Sequence, residues 1–322
     1  MGSDSYRFHS KTFLIEPTMP DTADAASFQP LAGVRVLSLA LNLPGPAALM
    51  RCHQLGALCV KLEPPADDDG AGDPMGRYAP AAYSVLHEGV EQVRADLKTP
   101  EGQRVLQAEL TRADVLITSF RPSALARLGL GWEALQVRHP RLSLVAIVGA
   151  PGMRAEEPGH DLTYLAESGL VPGLDLPPTL YADMAGSLMA SEAVLQALLH
   201  RSTHGEGVRI EVALSQAARY LALPRDWGLT RPGGAVGGAH AGYRVYACAD
   251  GRVAVSALEP HFAERLAAAA GLGVEAGQAM FRSSTHAAIA AFLRTQSRAQ
   301  LDALARASDL PLHTLADPAL SN

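Results

Sequence analysis

The sequence predicts an α/β protein: a doubly wound, mostly parallel sheet in a large domain, followed by a smaller α/β domain. Three observations point there. A strand–helix–strand unit occupies Val34 to Glu63, and apolar strands then keep alternating with helical segments as far as Leu214. A Gly-rich stretch, Arg231 to Gly242 (RPGGAVGGAHAG), precedes a hairpin and two Ala-rich helices. At 322 residues, with 48% hydrophobic and 19% charged side chains, the chain can build one large or two modest domains around a substantial core.

The elements follow in order. Residues 1–29 mix polar residues, Pro and Ala without a period and read as a disordered lead-in. Val34–Leu41 (VRVLSLAL) is a buried type of strand, Pro44-Gly45-Pro46 opens a helix to about Leu55, and Leu58–Glu63 (LCVKLE) is the next strand. Such a βαβ unit is right-handed by default. Pro100-Glu101 opens a helix through Arg112, and Asp114–Thr118 is a strand. Ser123–Leu128 and Trp132–Val137 read as helices before the apolar strand Leu142–Val148. Helices are expected at His160–Ser168 and Met184–Arg201, and a strand at Val208–Leu214. Beyond the Gly-rich stretch, Tyr243–Tyr246, a turn at Asp250-Gly251 and Val253–Ala257 form a hairpin; helices near Pro260–Ala270 and His286–Arg294 complete the small domain. The expected domains are 30–228 and 243–322, with 229–242 as linker.

Several function classes are disfavoured. A formal net charge of −6, with no basic run, argues against a nucleic-acid partner, and 5% aromatic residues are too few for a base-stacking platform. Cys52, Cys59 and Cys248 form no CxxC pair and suit a reducing compartment. The first residues lack a secretory pattern, Tyr6 breaks the myristoylation pattern, and no apolar run is long enough to span a membrane. A cytoplasmic protein without a membrane partner is expected.

Motif by motif, the remaining alternatives weaken. The first βα turn, Leu41-Asn42-Leu43-Pro44-Gly45-Pro46, lacks the glycines that let a pyrophosphate approach, although Glu63 sits where a ribose-binding acid would. There is no Walker A sequence and no GxSxG elbow. His200 and His204 have metal-binding spacing, but Gly205 ends their helix and no third ligand follows, so they read as basic residues at a helix C-terminus. Asp67-Asp68-Asp69, flanked by Gly and Pro, reads as a solvated loop. No metal site is expected.

Two short segments carry the chemistry. Gly159-His160-Asp161 and Tyr181-Ala182-Asp183-Met184-Ala185-Gly186 each place an ionisable side chain at a helix start, where unpaired N–H groups and the macrodipole favour anionic charge. His160 can move protons near neutral pH; Asp183 can serve as a base or a nucleophile. Taken singly, His160 reads as a capping or core histidine and Asp183 as an N-cap. Their combination points to acyl or enolate chemistry.

From Leu31 to Phe262 the chain resembles the family III CoA-transferases, the group that includes formyl-CoA transferase, carnitine CoA-transferase and α-methylacyl-CoA racemase. The resemblance rests on segments in matching order: LAGVRVLSLA, LGALCVKLEPP, RADLKTPEGQRVLQAELTRADVLITSFRPSALARLGLGWEAL, PGHDLTYLAESGL, YADMAGSLMASEAVLQALLHRSTHGEG and YRVYACADGRVAVSALEPHF. It implies a Rossmann-like large domain, a small α/β domain and an interlocked homodimer, with the active site between one large domain and the partner's small domain. It implies a CoA thioester as substrate and no permanently bound cofactor.

By the same resemblance, Asp183 is the transferase nucleophile or, in the racemase branch, one of two α-proton acids or bases, with His160 as the other. Glu259, in Ala257-Leu258-Glu259-Pro260, would support His160. The GHD and ALEP segments are closer to the racemase branch. A thioester α-proton is weakly acidic, so racemisation needs a base on each face and a stabilised enolate oxygen; helix-start amides near Asp183 and Met184 are the expected donors, typically worth a few kcal/mol.

The chain also departs from the family pattern. Cations usually placed after the strand-ending Glu and before RADLKT are replaced by Glu63-Pro64-Pro65 and Leu86-His87-Glu88-Gly89-Val90-Glu91, which leaves Arg121, Arg94 and Lys98 to meet CoA phosphates. The Gly-rich segment usual before GHD reads Gly149-Ala150-Pro151-Gly152-Met153-Arg154, and the usual return to the large domain after Pro311-Leu312-His313-Thr314-Leu315 is short. Three readings result: a racemase-like enzyme acting on a 2-methylacyl-CoA, a CoA-transferase passing CoA to a carboxylic acid through Asp183, and a non-catalytic binding or regulatory subunit.

Overall fold

The computed structural model describes residues 28–66, 71–273 and 279–316; the expected lead-in up to residue 27 and the Asp67–Asp69 cluster lie outside the described residues. The chain divides into two compact units. One holds residues up to Val148 together with Ser187–Val212, the other Gly149–Gly186 together with residues from Ala213 onward. This division differs from the expected single cut at 229–242. Its physical reason is that the segment bearing His160 packs on a later helix: α7 (Asp161–Glu167) lies against α9 (Leu214–Asp226), and the Ser215 N–H donates to the Gly149 carbonyl at 2.9 Å.

The first unit is built on a six-stranded sheet of β1 (Arg35–Ser38), β2 (Leu58–Glu63), β3 (Glu91–Arg94), β4 (Val115–Thr118), β5 (Ser143–Val148) and β6 (Arg209–Ala213). The strand order is β3-β2-β1-β4-β5-β6, and the pairs β1–β2, β2–β3, β1–β4 and β4–β5 are all parallel. The order reverses between β1 and β4, the defining feature of double winding. Between the strands run α1 (Pro44–Gln54), α2 (Met75–Tyr78), α3 (Pro80–Leu86), α4 (Pro100–Arg112), α5 (Pro122–Arg127) and α6 (Trp132–Arg138). The starts of α1, α4 and α5 were legible because Pro sits in their first turn, where its missing N–H costs nothing, whereas α2 and α3 were not anticipated although Pro80 opens α3. Thr99 caps α4 by accepting the Gly102 N–H at 3.0 Å. Leu37, Leu39, Val60, Leu62, Leu106, Leu110 and Leu116 fill the core between the sheet and its helices.

Beside this apolar core lies a buried charge network. The Lys61 ammonium, fully inaccessible, pairs with the equally inaccessible Asp73 carboxylate at 2.8 Å and donates to the Ala40 carbonyl. Asp73 also accepts the N–H groups of Asn42 (3.0 Å) and Met75 (3.0 Å). Glu63 accepts the N–H groups of Gly72 and Asp73, both at 3.2 Å, and the Tyr83 hydroxyl at 3.1 Å. These bonds tie the loop after β1 to the segment that follows β2. Burial pulls the Lys61 value below the usual lysine range while Asp73 pulls the other way.

The second unit carries α7, the start of α8 (Tyr181–His204), α9 and a three-stranded antiparallel sheet of β7 (Tyr243–Cys248), β8 (Gly251–Ser256) and β9 (Leu312–Ala316), in the order β7-β8-β9. On that sheet pack α10 (Pro260–Ala269), α11 (Ser283–Thr295) and α12 (Arg298–Ser308), around Tyr246, Val253, Val255, Leu266, Ile289 and Leu293. Strand alternation accounts for it: Tyr246 and Cys248 point in, while Val245 and Ala247 point out. Helix α8 begins three residues earlier than the expected Met184, so Asp183 falls inside its first turn. No described helix is long and apolar enough to cross a membrane.

Removing one partner of a buried pair leaves the other charge uncompensated. Asp73→Ala is therefore expected to destabilise the protein by about 3 to 5 kcal/mol in urea denaturation, and the double variant Lys61→Met/Asp73→Leu to recover most of that loss.

Candidate active site

Helix α7 starts after Pro158-Gly159, and the residues before it are held by a tyrosine. A Cβ on Gly149 or Gly159 would stand 2.2 Å or 2.5 Å from the Tyr164 hydroxyl oxygen, so both positions need glycine for the ring to pack here. His160 is the N-cap in extended conformation; its N–H donates to the Thr163 Oγ1 at 3.1 Å, and that hydroxyl donates back to the His160 carbonyl at 2.7 Å. The imidazole itself remains exposed. Outside the helix, Arg154 bridges to Glu157 (2.9 Å) and Glu167 (3.0 Å), surface pairs that contribute little.

The next residue, Asp161, was not singled out by sequence reasoning. Its side chain is 4% exposed, and its Oδ1 accepts the Asp183 N–H at 3.0 Å. One hydrogen bond thus joins the start of α7 to the start of α8 and sets His160 and Asp183 in a shared electrostatic environment. The Asp183 carboxyl is half-buried, and its value is pushed up to about 6. Burial is the main cause, the Asp161 charge adds to it, and His160 opposes both. A helix start favours carboxylate, but here desolvation and a like charge prevail.

The same contacts engage two of the amides at the start of α8. The Asp183 N–H is taken by Asp161, and the Met184 N–H donates to the Leu180 carbonyl at 3.0 Å. The amides without an intrahelical acceptor are those of Asp161 and Leu162, the first two positions of α7, and of Tyr181 and Ala182, the first two of α8. Exposed apolar side chains flank the site: Leu162, Leu180, Tyr181 and Met184.

Glu259 is the exposed N-cap of α10. Among the described residues no hydrogen bond or ion pair joins it to His160. In the other unit, Arg94 on β3 stands 3.9 Å from the buried Glu63 and is partly committed to it. Lys98 and Arg121 are exposed; Arg121 follows β4 as the N-cap of α5. With β2 and β1 between them, β3 and β4 lie about 14 Å apart, so Arg94 and Arg121 are carried by separate parts of the sheet edge. Glu63, placed where a ribose acid would sit, is consumed by internal hydrogen bonds. Among the described residues no group of three or more His, Cys, Asp or Glu is arranged for a metal ion; the His200 and His204 rings stack on each other at 4.1 Å.

The sequence model of CoA-transferase family III matches residues 31–320. The chain is 32% identical to human alpha-methylacyl-CoA racemase over 260 residues, covering 75% of this chain and 65% of that protein. It is 34% identical to the succinate–glutarate CoA-transferase of Agrobacterium fabrum over 203 residues, covering 58% of this chain and 51% of that protein. A crystal structure of a hypothetical protein from Mycobacterium tuberculosis superposes with a TM-score of 0.75 at 26% identity, covering 91% of this chain and 87% of the other. The chain spans about half to two thirds of the length of the curated relatives it matches.

Two outcomes are expected. In carboxyl-carbon NMR titrations, Asp161→Asn, which keeps an acceptor for the Asp183 N–H, lowers the Asp183 value, whereas His160→Ala raises it further. Because the Asp183 value is raised from 3.8 to about 6, its stability contribution is complete below 3.8 and is lost as pH rises through 6. Asp183→Asn should therefore be more stable than the parent at pH 8, by about 1 to 3 kcal/mol in thermal or urea unfolding, with the difference vanishing near pH 4.

Proposed function

The chain belongs to CoA-transferase family III, and from that premise we propose that it exchanges the α-proton of a 2-methylacyl-CoA thioester, as a racemase does. The observation that supports this most is the Asp183 carboxyl, held near 6 with His160 close enough to shift it. A general acid or base works best when its value lies near the operating pH. In one direction the Asp183 carboxylate removes the α-proton and the His160 imidazolium delivers one to the opposite face; in the other direction the roles exchange. The enolate oxygen formed between them meets the Asp161 and Leu162 amides, which need no reorganisation to receive it.

Leu162, Leu180, Tyr181 and Met184 offer apolar surface to the acyl chain, while Arg121, Lys98 and the partly committed Arg94 are the cations available to CoA phosphates. Glu259, unpaired with His160 within one chain, is proposed to support it across a homodimer, from the small domain of one copy to the site of the other. The proposed setting is the cytoplasm, with no cofactor held permanently. CoA transfer is the second reading, favoured by the relatives named as transferases. There Asp183 attacks the acyl-CoA carbonyl and expels CoA thiolate, giving a mixed anhydride; the thiolate then attacks the aspartyl carbonyl, releasing the carboxylic acid and leaving an aspartyl-CoA thioester. The acceptor carboxylate reverses these two exchanges.

Incubation with a 2-methylacyl-CoA in deuterated water separates the readings. Racemase-like chemistry puts deuterium on the α-carbon, and Asp183→Asn slows that incorporation by about 100-fold or more. A hydroxylamine-sensitive adduct on Asp183 without α-exchange points to transfer. No binding of any CoA ester at millimolar concentration overturns both and leaves a binding or regulatory subunit.

A further inference from the structure

The Gly-rich stretch that precedes β7 carries a second histidine cluster, remote in sequence from His160. His240 is 7% exposed, and its Nδ1 accepts the Gly242 N–H at 3.1 Å. The Gly242 carbonyl in turn accepts the Ala257 N–H at 2.7 Å, two residues before Glu259. The three groups are closely packed: a Cβ on Gly242 would lie 2.2 Å from the Ala257 carbonyl oxygen and 3.0 Å from the His240 ring.

A second imidazole stands beside the first. The His286 Nδ1 is 3.3 Å from Arg244 Nη1, and its Nε2 is 2.8 Å from the Ala239 carbonyl. Arginine only donates, so this network assigns His286 as neutral, with Nδ1 accepting and Nε2–H donating. Arg244 also donates to the Gly238 carbonyl at 3.0 Å. Both rings therefore have an N–H donor aimed at Nδ1, which a second ring proton would displace. The charged or titratable groups facing them are Arg244 from β7, His286 from α11 and His240 itself; Phe281 packs edge-on at 5.2 Å from the His240 ring. No carboxylate pairs with any of these three among the described residues. Burial holds His240 below the usual histidine range.

We propose that His240 is a positioning residue for the Ala257–Glu259 turn and acts as a pH-operated latch: while neutral it holds Gly242, which holds Ala257, and its protonation releases both. The sign follows from its lowered value. The latch's stability is complete above the ordinary histidine range and is lost as pH falls through the lowered one. Its bearing on catalysis, through Glu259, rests on the function proposed above; the latch itself does not.

Hydrogen–deuterium exchange of the full chain, corrected for intrinsic rates, is the test. Between pH 7.5 and pH 5, the peptides covering 233–243 and 257–262 should lose protection by about tenfold or more. His240→Asn retains an acceptor at the Nδ1 position but cannot titrate, and should keep protection at both pH values. A parent protein without the pH response, or an Asn variant that shares it, overturns the proposal. Should His240→Asn fail to fold, imidazole-carbon NMR of the parent decides: a His240 midpoint at or above 6.5 overturns the latch, and one below supports it. If α-exchange is present, His240→Asn moves the acid limb of kcat/KM to lower pH while the neutral plateau holds. If exchange is absent, the protection data still judge the latch.

Discussion

The hydrogen bond from the Asp183 amide to the Asp161 carboxylate sets the terms for the whole candidate site. It spans 22 residues of sequence and joins two helix starts that local structure alone would leave independent. A charge-assisted bond of this kind contributes about 1.5 to 3 kcal/mol. It has two consequences at once: it removes the Asp183 N–H from the pool of free donors, and the Asp161 charge helps hold the Asp183 carboxyl near 6. A site that moves protons near neutral pH depends on that last effect, even though it opposes stability above pH 6.

The first unit uses buried charge differently. Lys61, Asp73 and Glu63 sit at the carboxyl ends of β1 and β2, where the loops of a doubly wound sheet diverge. Every charge there has a partner or a set of backbone donors, so desolvation is offset and the loop after β1 is held rigid. The exposed Arg154 pairs beside α7 look similar in geometry but lie in water, where they contribute little. Two kinds of ion pair thus have separate roles: one fixes a scaffold, the other decorates a turn.

Much of the scaffold was legible because its signals are local. VRVLSLAL, LCVKLE and LSLVAIV are apolar runs of strand length, and Pro opens four of the intervening helices, so β1, β2, β5 and their neighbours fall close to where the pattern places them. Helices α3 and α12 were missed although Pro80 opens the one and Ser297 caps the other, and three further missed elements lack such signals. Strand β3 (EQVR) is a polar, largely exposed edge; α9 carries Pro224 inside it; β9 is a short strand that forms only against β8. His160 and Asp183 were legible as ionisable residues near helix starts. Asp161 was not, because an acid at the first position of a helix reads as complementing the dipole, and only its contact with Asp183 shows otherwise.

Sequence by itself determined the α/β alternation, the doubly wound sheet, the family resemblance and the pairing of a histidine with an aspartate at two helix starts. These follow from periodicity, Pro and Gly placement and residue type, properties carried by neighbours along the chain. Tertiary structure alone decided where the units divide, that Lys61 meets Asp73, that His240 holds the Gly242 amide, and which amides near Asp183 remain free. Each of those depends on desolvation and on three-dimensional distances, and neither quantity exists until the chain has folded.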